Sequence, residues 1–93
     1  MQIAVLKVKL HAPWVHSLKE KRMELKSLIA KLRNKFNVSV AEIDEQDTHQ
    51  ILVIGVAAIA ADTAQADSII DNALIFIESN TEAEAISLER EIR

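Results

Sequence analysis

Residues 38–61, VSVAEIDEQDTHQILVIGVAAIAA, decide the fold of this chain, because they hold two strand-like runs on either side of a polar turn. The first run, from Val38 to Asp44, is short, rich in β-branched residues and partly alternating, which is typical of a strand. Residues 45–48 are turn-forming. The second run, residues 50–61, is apolar almost without interruption, which favours a strand buried on both faces. This stretch predicts two consecutive strands.

A helix-forming segment lies on each side of these strands. Before them, Ser17 and Glu20 have the spacing of a capping box, in which the serine hydroxyl accepts from the Glu20 N–H and the carboxylate reaches back to the Ser17 N–H. The apolar residues that follow share one helical stripe about 100° wide. After the strands, Asp62 and Thr63 can cap a second helix over residues 64–79.

The outermost segments read as strands. Residues 2–11 alternate, with one apolar and one mixed side, and residues 83–92 alternate more weakly. The order strand, helix, strand, strand, helix, strand predicts an α+β fold of the ferredoxin-like kind, βαββαβ, with a four-stranded antiparallel sheet and two helices on one face. One glycine and one proline leave little room for a linker, so we expect residues 1–93 to form a single domain.

The sequence lacks the usual signatures of an active site. It has no cysteine, which excludes a disulfide framework, a thiolate zinc site and a thiol nucleophile. No nucleophile elbow or glycine-rich phosphate loop occurs. The histidines, His11, His16 and His49, form no helical pair with metal-ligand spacing and have no third strong ligand. We therefore expect a protein that is not an enzyme and that has no metal or cofactor.

The ends and the apolar stretches point to the cytoplasm. The start, MQIAVLKVKL, has neither a basic n-region nor a small-residue cleavage site, so it does not resemble a signal peptide. The longest uncharged stretch, residues 50–61, is shorter than the roughly 20 residues that a membrane-spanning helix needs. We expect a cytoplasmic protein without a membrane partner.

Charge is unevenly distributed along the chain. The net charge is −3, but residues 17–36 hold seven basic and two acidic side chains, so this segment is +5 and the remainder is −8. Four of the cations fall on one side of the first helix, and none of the four has an acidic residue three or four positions away. We call them the basic ridge: Lys19, Arg22, Lys26 and Arg33. An unpaired cationic line of this kind suits a phosphate backbone or an acidic partner, although it could also be a solvated face.

The apolar third strand raises the question of what covers the sheet. With both helices on one face, one side of this strand must point outward, and an exposed apolar sheet surface usually marks an interface. Taking Leu52, Ile54 and Val56 as the outward set, we expect a homo-oligomer, most simply a homodimer, joined through the open sheet face. The same face is not expected to stack RNA bases, because the aromatic residues, Trp14, Phe36 and Phe76, lie in a loop and in helices.

Two motifs carry a resemblance to a known family. The segment SLKEKR at residues 17–22 and the run LRNKFNVSVAE at residues 32–42, with the strand around Gly55, resemble the YlxP-like family, a bacterial group of uncharacterised function. The resemblance spans nearly the whole chain and implies a ferredoxin-like fold. Genes of that family often lie near those of translation initiation and ribosome-binding factors, which implies an association with RNA or the ribosome.

The main functional hypothesis is a small accessory factor that binds structured RNA or the ribosome. The basic ridge would contact phosphates, and Ser17 and Glu20 would hold the start of the helix. No DNA partner is expected. The alternative is a protein–protein interaction or oligomerisation module whose ridge meets an acidic protein. A third possibility is a ligand-sensing domain with a cleft beneath the loop at residues 13–16.

Overall fold

A four-stranded antiparallel sheet, with strand order β2-β3-β1-β4, forms the centre of the molecule. The computed structural model describes all 93 residues. Its elements are β1 (Gln2–His11), α1 (Leu18–Lys35), β2 (Ser39–Asp44), β3 (Ile51–Ala60), α2 (Thr63–Ser79) and β4 (Glu84–Ile92). The order βαββαβ confirms the predicted α+β, ferredoxin-like fold. Neither helix is both long and apolar enough to cross a membrane.

The pairing of β1 with β3 fixes which side of the sheet faces the helices. Leu6 lies opposite Val56 and Val8 lies opposite Ile54, and all four side chains are buried. They form one core with the apolar stripes of both helices, which pack on this face alone. The opposite face carries no element of the chain, so we call it the open sheet face. Its central residues come from alternate positions of β1 and β3, beginning with Ile3 and Ile59.

The predicted interface set was wrong. Leu52, Ile54 and Val56 are 2%, 0% and 4% exposed and belong to the core beneath the helices. The physical reason is that both sides of β3 are apolar, so its own pattern does not distinguish them. The register with β1 does, because the fully apolar side of β1 lies beside these three residues. The expectation that β3 is buried on both faces is confirmed only in part: on the open side Val53 is buried, whereas Ile59 is exposed.

Both helices begin with the same arrangement of hydrogen bonds. At α1, Ser17 Oγ accepts from the Glu20 N–H at 3.1 Å, and the Glu20 carboxylate accepts from the His16 N–H at 3.4 Å. At α2, the side chain of Asp62 accepts from the N–H of Gln65, whose own side chain accepts from the N–H of the residue before the cap. The reciprocal bond at α1 therefore reaches His16, one residue earlier than predicted.

Two aromatic rings pack against each other where α1 ends. Phe36, the residue that caps the C-terminus of α1, meets Phe76 of α2 edge to face, with ring centroids 5.5 Å apart and planes at 86°. Such an arrangement is favoured by the ring quadrupoles. The contact holds the end of α1 against α2, so the orientation of α1 on the sheet is fixed at this end by packing.

Candidate functional site

The exposed side of α1 carries the basic ridge. Lys19, Arg22 and Lys26 are exposed, and none of them makes an ion pair or a hydrogen bond within the chain. Arg33 differs, because its Nη2 donates to the backbone oxygen of Val40 on β2 at 2.9 Å. The ridge therefore lies on the flank of α1 that faces edge strand β2, with three free cations and one anchored to the strand.

The other flank of α1 adds further unpaired cations. Lys31 and Lys35 are exposed and also make no ion pair. The two acids of the helix are both engaged locally: Glu20 caps the helix start, and Glu24 accepts from Trp14 Nε1 at 3.4 Å. Neither acid of α1 therefore forms an ion pair with the outward cations of the helix.

Half of the exposed acidic groups lie on α2 and β4. Arg90 on β4 reaches two carboxylates of α2, with Nη1 at 2.8 Å from Asp71 Oδ1 and Nη2 at 3.4 Å from Asp67 Oδ1. The hydrogen bond that Arg90 donates to Asp71 raises the pKa of Arg90. At the end of β4, the hydrogen bonds from Arg93 lower the pKa of Glu91. These acids therefore form no ion pair with the basic ridge. They pair with Arg90 or Arg93, or are exposed, on another part of the surface.

Lys21 is the one charged residue of the core, and sequence reasoning missed it. Its side chain is 1% exposed, and its Nζ donates to the backbone oxygens of Glu45 at 2.6 Å and Thr48 at 2.8 Å. The Nζ also lies 2.8 Å from Glu42 Oε2, which has no hydrogen bond, so that contact is an ion pair without hydrogen-bond geometry. The available signal was its place on the helical wheel, inside the apolar stripe of α1.

Lys21 fixes the turn between β2 and β3 to helix α1. The turn contains Glu45 in the left-handed backbone region, with φ of 50°, and its N–H bonds to Asp44 Oδ1 at 2.8 Å. The Glu45 side chain crosses to β1, where its Oε2 is 2.7 Å from Lys9 Nζ. Lys21 therefore belongs to the scaffold beneath the ridge and is not available to a partner.

The open sheet face is a shallow trough floored by small residues. Ser39, Ala41, Gly55 and Ala57 line a depression of about 450 Å³ on its β2–β3 side, which lies beside Ile43 and reaches Arg33 of α1 at the sheet edge. Three isoleucines stand out from this face, with exposed fractions of 38% for Ile3, 46% for Ile43 and 71% for Ile59. Neither β1 nor β3 presents an aromatic side chain here. The face therefore offers apolar contact but no platform for stacked bases.

The other features considered in the sequence, the loop cleft and the histidines, do not form a common site. The interior beneath the loop at residues 13–16 is filled by Ala12 and Val15, both fully buried, where a ligand cleft was expected. A polar depression of about 420 Å³ lies outside the loop instead, between Trp14 and Lys31. The histidines join no cluster of three or more potential metal ligands.

Comparisons with known proteins agree with the motifs. The sequence model of a family described as "Protein of unknown function (DUF503)" matches residues 3–90. The "Uncharacterized protein YlxP" of Bacillus subtilis (strain 168) is 44% identical over 68 residues, which cover 73% of this chain and 74% of that protein. These matches confirm the resemblance to the YlxP-like family.

Solved structures share the fold at low sequence identity. A de novo designed protein with a ferredoxin fold aligns with a TM-score of 0.65 and 16% identity, over 100% of this chain and 86% of its own. The structural-genomics protein YJCS aligns with a TM-score of 0.60 and 10% identity, over 96% of both chains. SnoaB of Streptomyces nogalater, described as a cofactor-independent oxygenase, aligns with a TM-score of 0.50 and 10% identity, over 99% of this chain and 90% of its own. At such identities the likeness concerns the fold alone.

Proposed function

We propose that this chain, which belongs to the DUF503 family, is a non-enzymatic cytoplasmic accessory protein that binds structured RNA, such as that of the ribosome, through helix α1. One observation carries the proposal: Lys19, Arg22 and Lys26 lie on one side of α1, exposed and without any partner in the chain. Cations left unpaired in a chain of net charge −3 are not explained by the needs of folding.

The ridge has the dimensions of a backbone contact. From Lys19 to Arg33 the helix rises about 20 Å at about 1.5 Å per residue, which is long enough to meet several phosphates. Arg33 is held by Val40, so this end of the ridge is fixed in place. Structured RNA fits better than single strands, because specific single-strand binding by such sheets relies on stacking aromatics, which the open sheet face lacks.

The proposal is tested by reversing charges on one flank of α1. Arg22→Glu with Lys26→Glu removes two of the free ridge cations, and Lys31→Glu with Lys35→Glu makes the same change of charge on the other flank. We expect the chain to bind a labelled RNA hairpin in a salt-dependent manner. The ridge variant should lower the slope of log affinity against log salt by about two, one for each lost phosphate contact. The control variant should retain most of the affinity.

Two outcomes count against the proposal. If the unaltered chain fails to bind the hairpin or total ribosomal RNA at low salt, α1 is not an RNA-binding surface. If both variants weaken binding equally, the effect is one of net charge and the ridge has no special role. Affinity purification with and without nuclease separates RNA from the alternative, since an acidic protein partner would remain bound after RNA is digested.

A further inference from the structure

We propose that the open sheet face binds the same face of a second copy of this chain, giving a homodimer in which two sheets stack and the helices lie outside. This interface differs from the one expected from sequence. It uses the alternate residues of β3, with Ile59 in place of the buried Leu52, Ile54 and Val56.

The strongest observation is the concentration of exposed isoleucines on an uncovered surface. Ile3 and Ile59 are direct cross-strand partners, so their side chains stand side by side. Ile43 lies on the neighbouring strand β2, beside the floor of small residues. Bulky side chains beside a trough of small ones allow one copy to insert its isoleucines into the trough of the other. Such interdigitation is how stacked sheets pack, at a spacing of about 10 Å.

The face is large enough for a specific dimer. The four strands together hold 35 residues, each covering about 3.3 by 4.8 Å of sheet, so the face measures roughly 550 Å² in flat projection. Two copies would together bury about 1,100 Å², which is above the roughly 1,000 Å² expected of a biological interface. The pleat and the side chains increase the true contact area beyond that projection.

Charge on this face favours a second copy over an RNA. The strand registers and ion pairs place three basic and five acidic side chains on it: Lys7, Lys9, Arg93, Asp44, Glu45, Glu84, Glu89 and Glu91. An excess of acid repels a phosphate backbone. Two pairs are already joined, Lys9 with Glu45 and Arg93 with Glu91. Lys7 and Glu89 lie opposite each other but make no ion pair, and a two-fold axis allows each of these two to pair with its opposite on the partner.

The two proposals are independent. Because α1 lies on the other side of the sheet, stacking through the open sheet face leaves the three free ridge cations, Lys19, Arg22 and Lys26, exposed in both copies. A monomeric chain could bind RNA, and a dimeric chain could fail to bind it. Failure of one proposal therefore leaves the other standing.

Light scattering after size-exclusion chromatography tests the dimer. We expect the unaltered chain to elute near 21 kDa, twice its 10.4 kDa, at protein concentrations of about 100 µM. Ile59→Lys should weaken association about 30-fold or more, the effect of losing one central contact. Ile75→Lys is the matched control, because Ile75 is also an exposed isoleucine, 61% accessible, but lies on α2. This variant should remain dimeric.

Other results would overturn the inference. A monomer of the unaltered chain at that concentration, or a dimer that survives Ile59→Lys, excludes the open sheet face as the interface. A dimer that is lost in Ile75→Lys and kept in Ile59→Lys would place the contact on the helices instead. Far-UV circular dichroism of each variant shows that the fold is retained, which the exposure of both isoleucines leads us to expect.

Discussion

Lys21 shows how a single side chain can join three parts of this fold. Lys21 belongs to α1, and its ammonium group contacts two backbone oxygens of the β2–β3 turn and the carboxylate of Glu42 on β2. A buried ammonium group is costly unless it finds acceptors and a counter-charge, and here it donates to two carbonyl oxygens and forms an ion pair with Glu42. The apolar stem of Lys21 fills core space among the leucines of α1, so the residue serves packing and polarity together.

Lys21→Met tests this role, since methionine keeps most of the volume but removes the charge. We expect the free energy of unfolding to fall by about 3 kcal/mol, because two turn carbonyls and the Glu42 carboxylate would lose their partner. The measurement is urea unfolding at neutral pH, followed by circular dichroism. Adding Glu42→Met should restore part of the loss, because it removes the carboxylate that was left unpaired.

The matched control is Lys31→Met on the exposed flank of the same helix. This change should alter the free energy of unfolding by no more than about 0.5 kcal/mol, as most surface substitutions do. Equal stability of the Lys21→Met and Lys31→Met variants would show that the contacts of Lys21 add nothing to the fold.

At the scale of elements, Gly55 on β3 leaves space for a side chain of the neighbouring strand β2. A Cβ atom at this position would come within 2.9 Å of Ile43 Cγ2. That methyl group branches directly from the Cβ of Ile43, so it cannot move without a change of rotamer or of backbone. The only glycine of the chain therefore makes room for an isoleucine of the neighbouring strand on the open sheet face.

The effect of Gly55→Ala on the free energy of unfolding should therefore depend on residue 43, and should change sign when that residue is made smaller. In the unaltered chain it should destabilise the fold by about 1 kcal/mol through overpacking. In a chain carrying Ile43→Ala, the same change should be neutral or stabilising, because alanine suits a strand interior better than glycine by about 0.5–1 kcal/mol. A double-mutant cycle of urea unfolding gives the coupling energy. Equal costs in both backgrounds would contradict the steric explanation.

The order and approximate bounds of the helices and strands could be predicted from the sequence. Which side of each strand is buried could be predicted less well. Strand β1 alternates cleanly, and its buried side was evident from the apolar set that includes Leu6 and Val8. Strand β3 has two apolar sides, so its orientation depends on pairing with β1, a non-local fact that no local pattern contains. Strand β4 is exposed nearly throughout, and its Arg90 pairs with acids of α2 that are distant in sequence.

The candidate site was also predictable only where local sequence spacing determines it. Helical spacing placed Lys19, Arg22 and Lys26 on one line, and that placement needs only the geometry of a helix. The engagement of Arg33 with Val40 and the burial of Lys21 depend on where β2 and its turn lie against α1. Tertiary contacts therefore divide a cationic segment into anchored and free members, a division that the spacing alone does not contain.

The whole molecule separates three kinds of surface. Helix α1 is basic, α2 and β4 carry half of the exposed acids, and the open sheet face combines exposed isoleucines with charged side chains of both signs. A surface with separated charge types orients the molecule as it approaches a polyanion. The separation also means that substitutions on one surface should leave the other two unaffected, because sites far apart contribute additively to stability.

Thermal unfolding tests the single domain and the dimer together. With one core shared by both helices and the sheet, we expect one cooperative transition, with circular dichroism and the fluorescence of Trp14, the only tryptophan, giving the same midpoint. If unfolding is coupled to dissociation, a tenfold rise in protein concentration adds about 1.4 kcal/mol per dimer. That gain should raise the midpoint by about 3–5 °C. In Ile59→Lys the midpoint should not depend on concentration. Separate midpoints for the two probes would contradict a single domain. A concentration-independent midpoint in the unaltered chain would argue against the sheet-to-sheet dimer, because stabilisation by a partner must follow mass action.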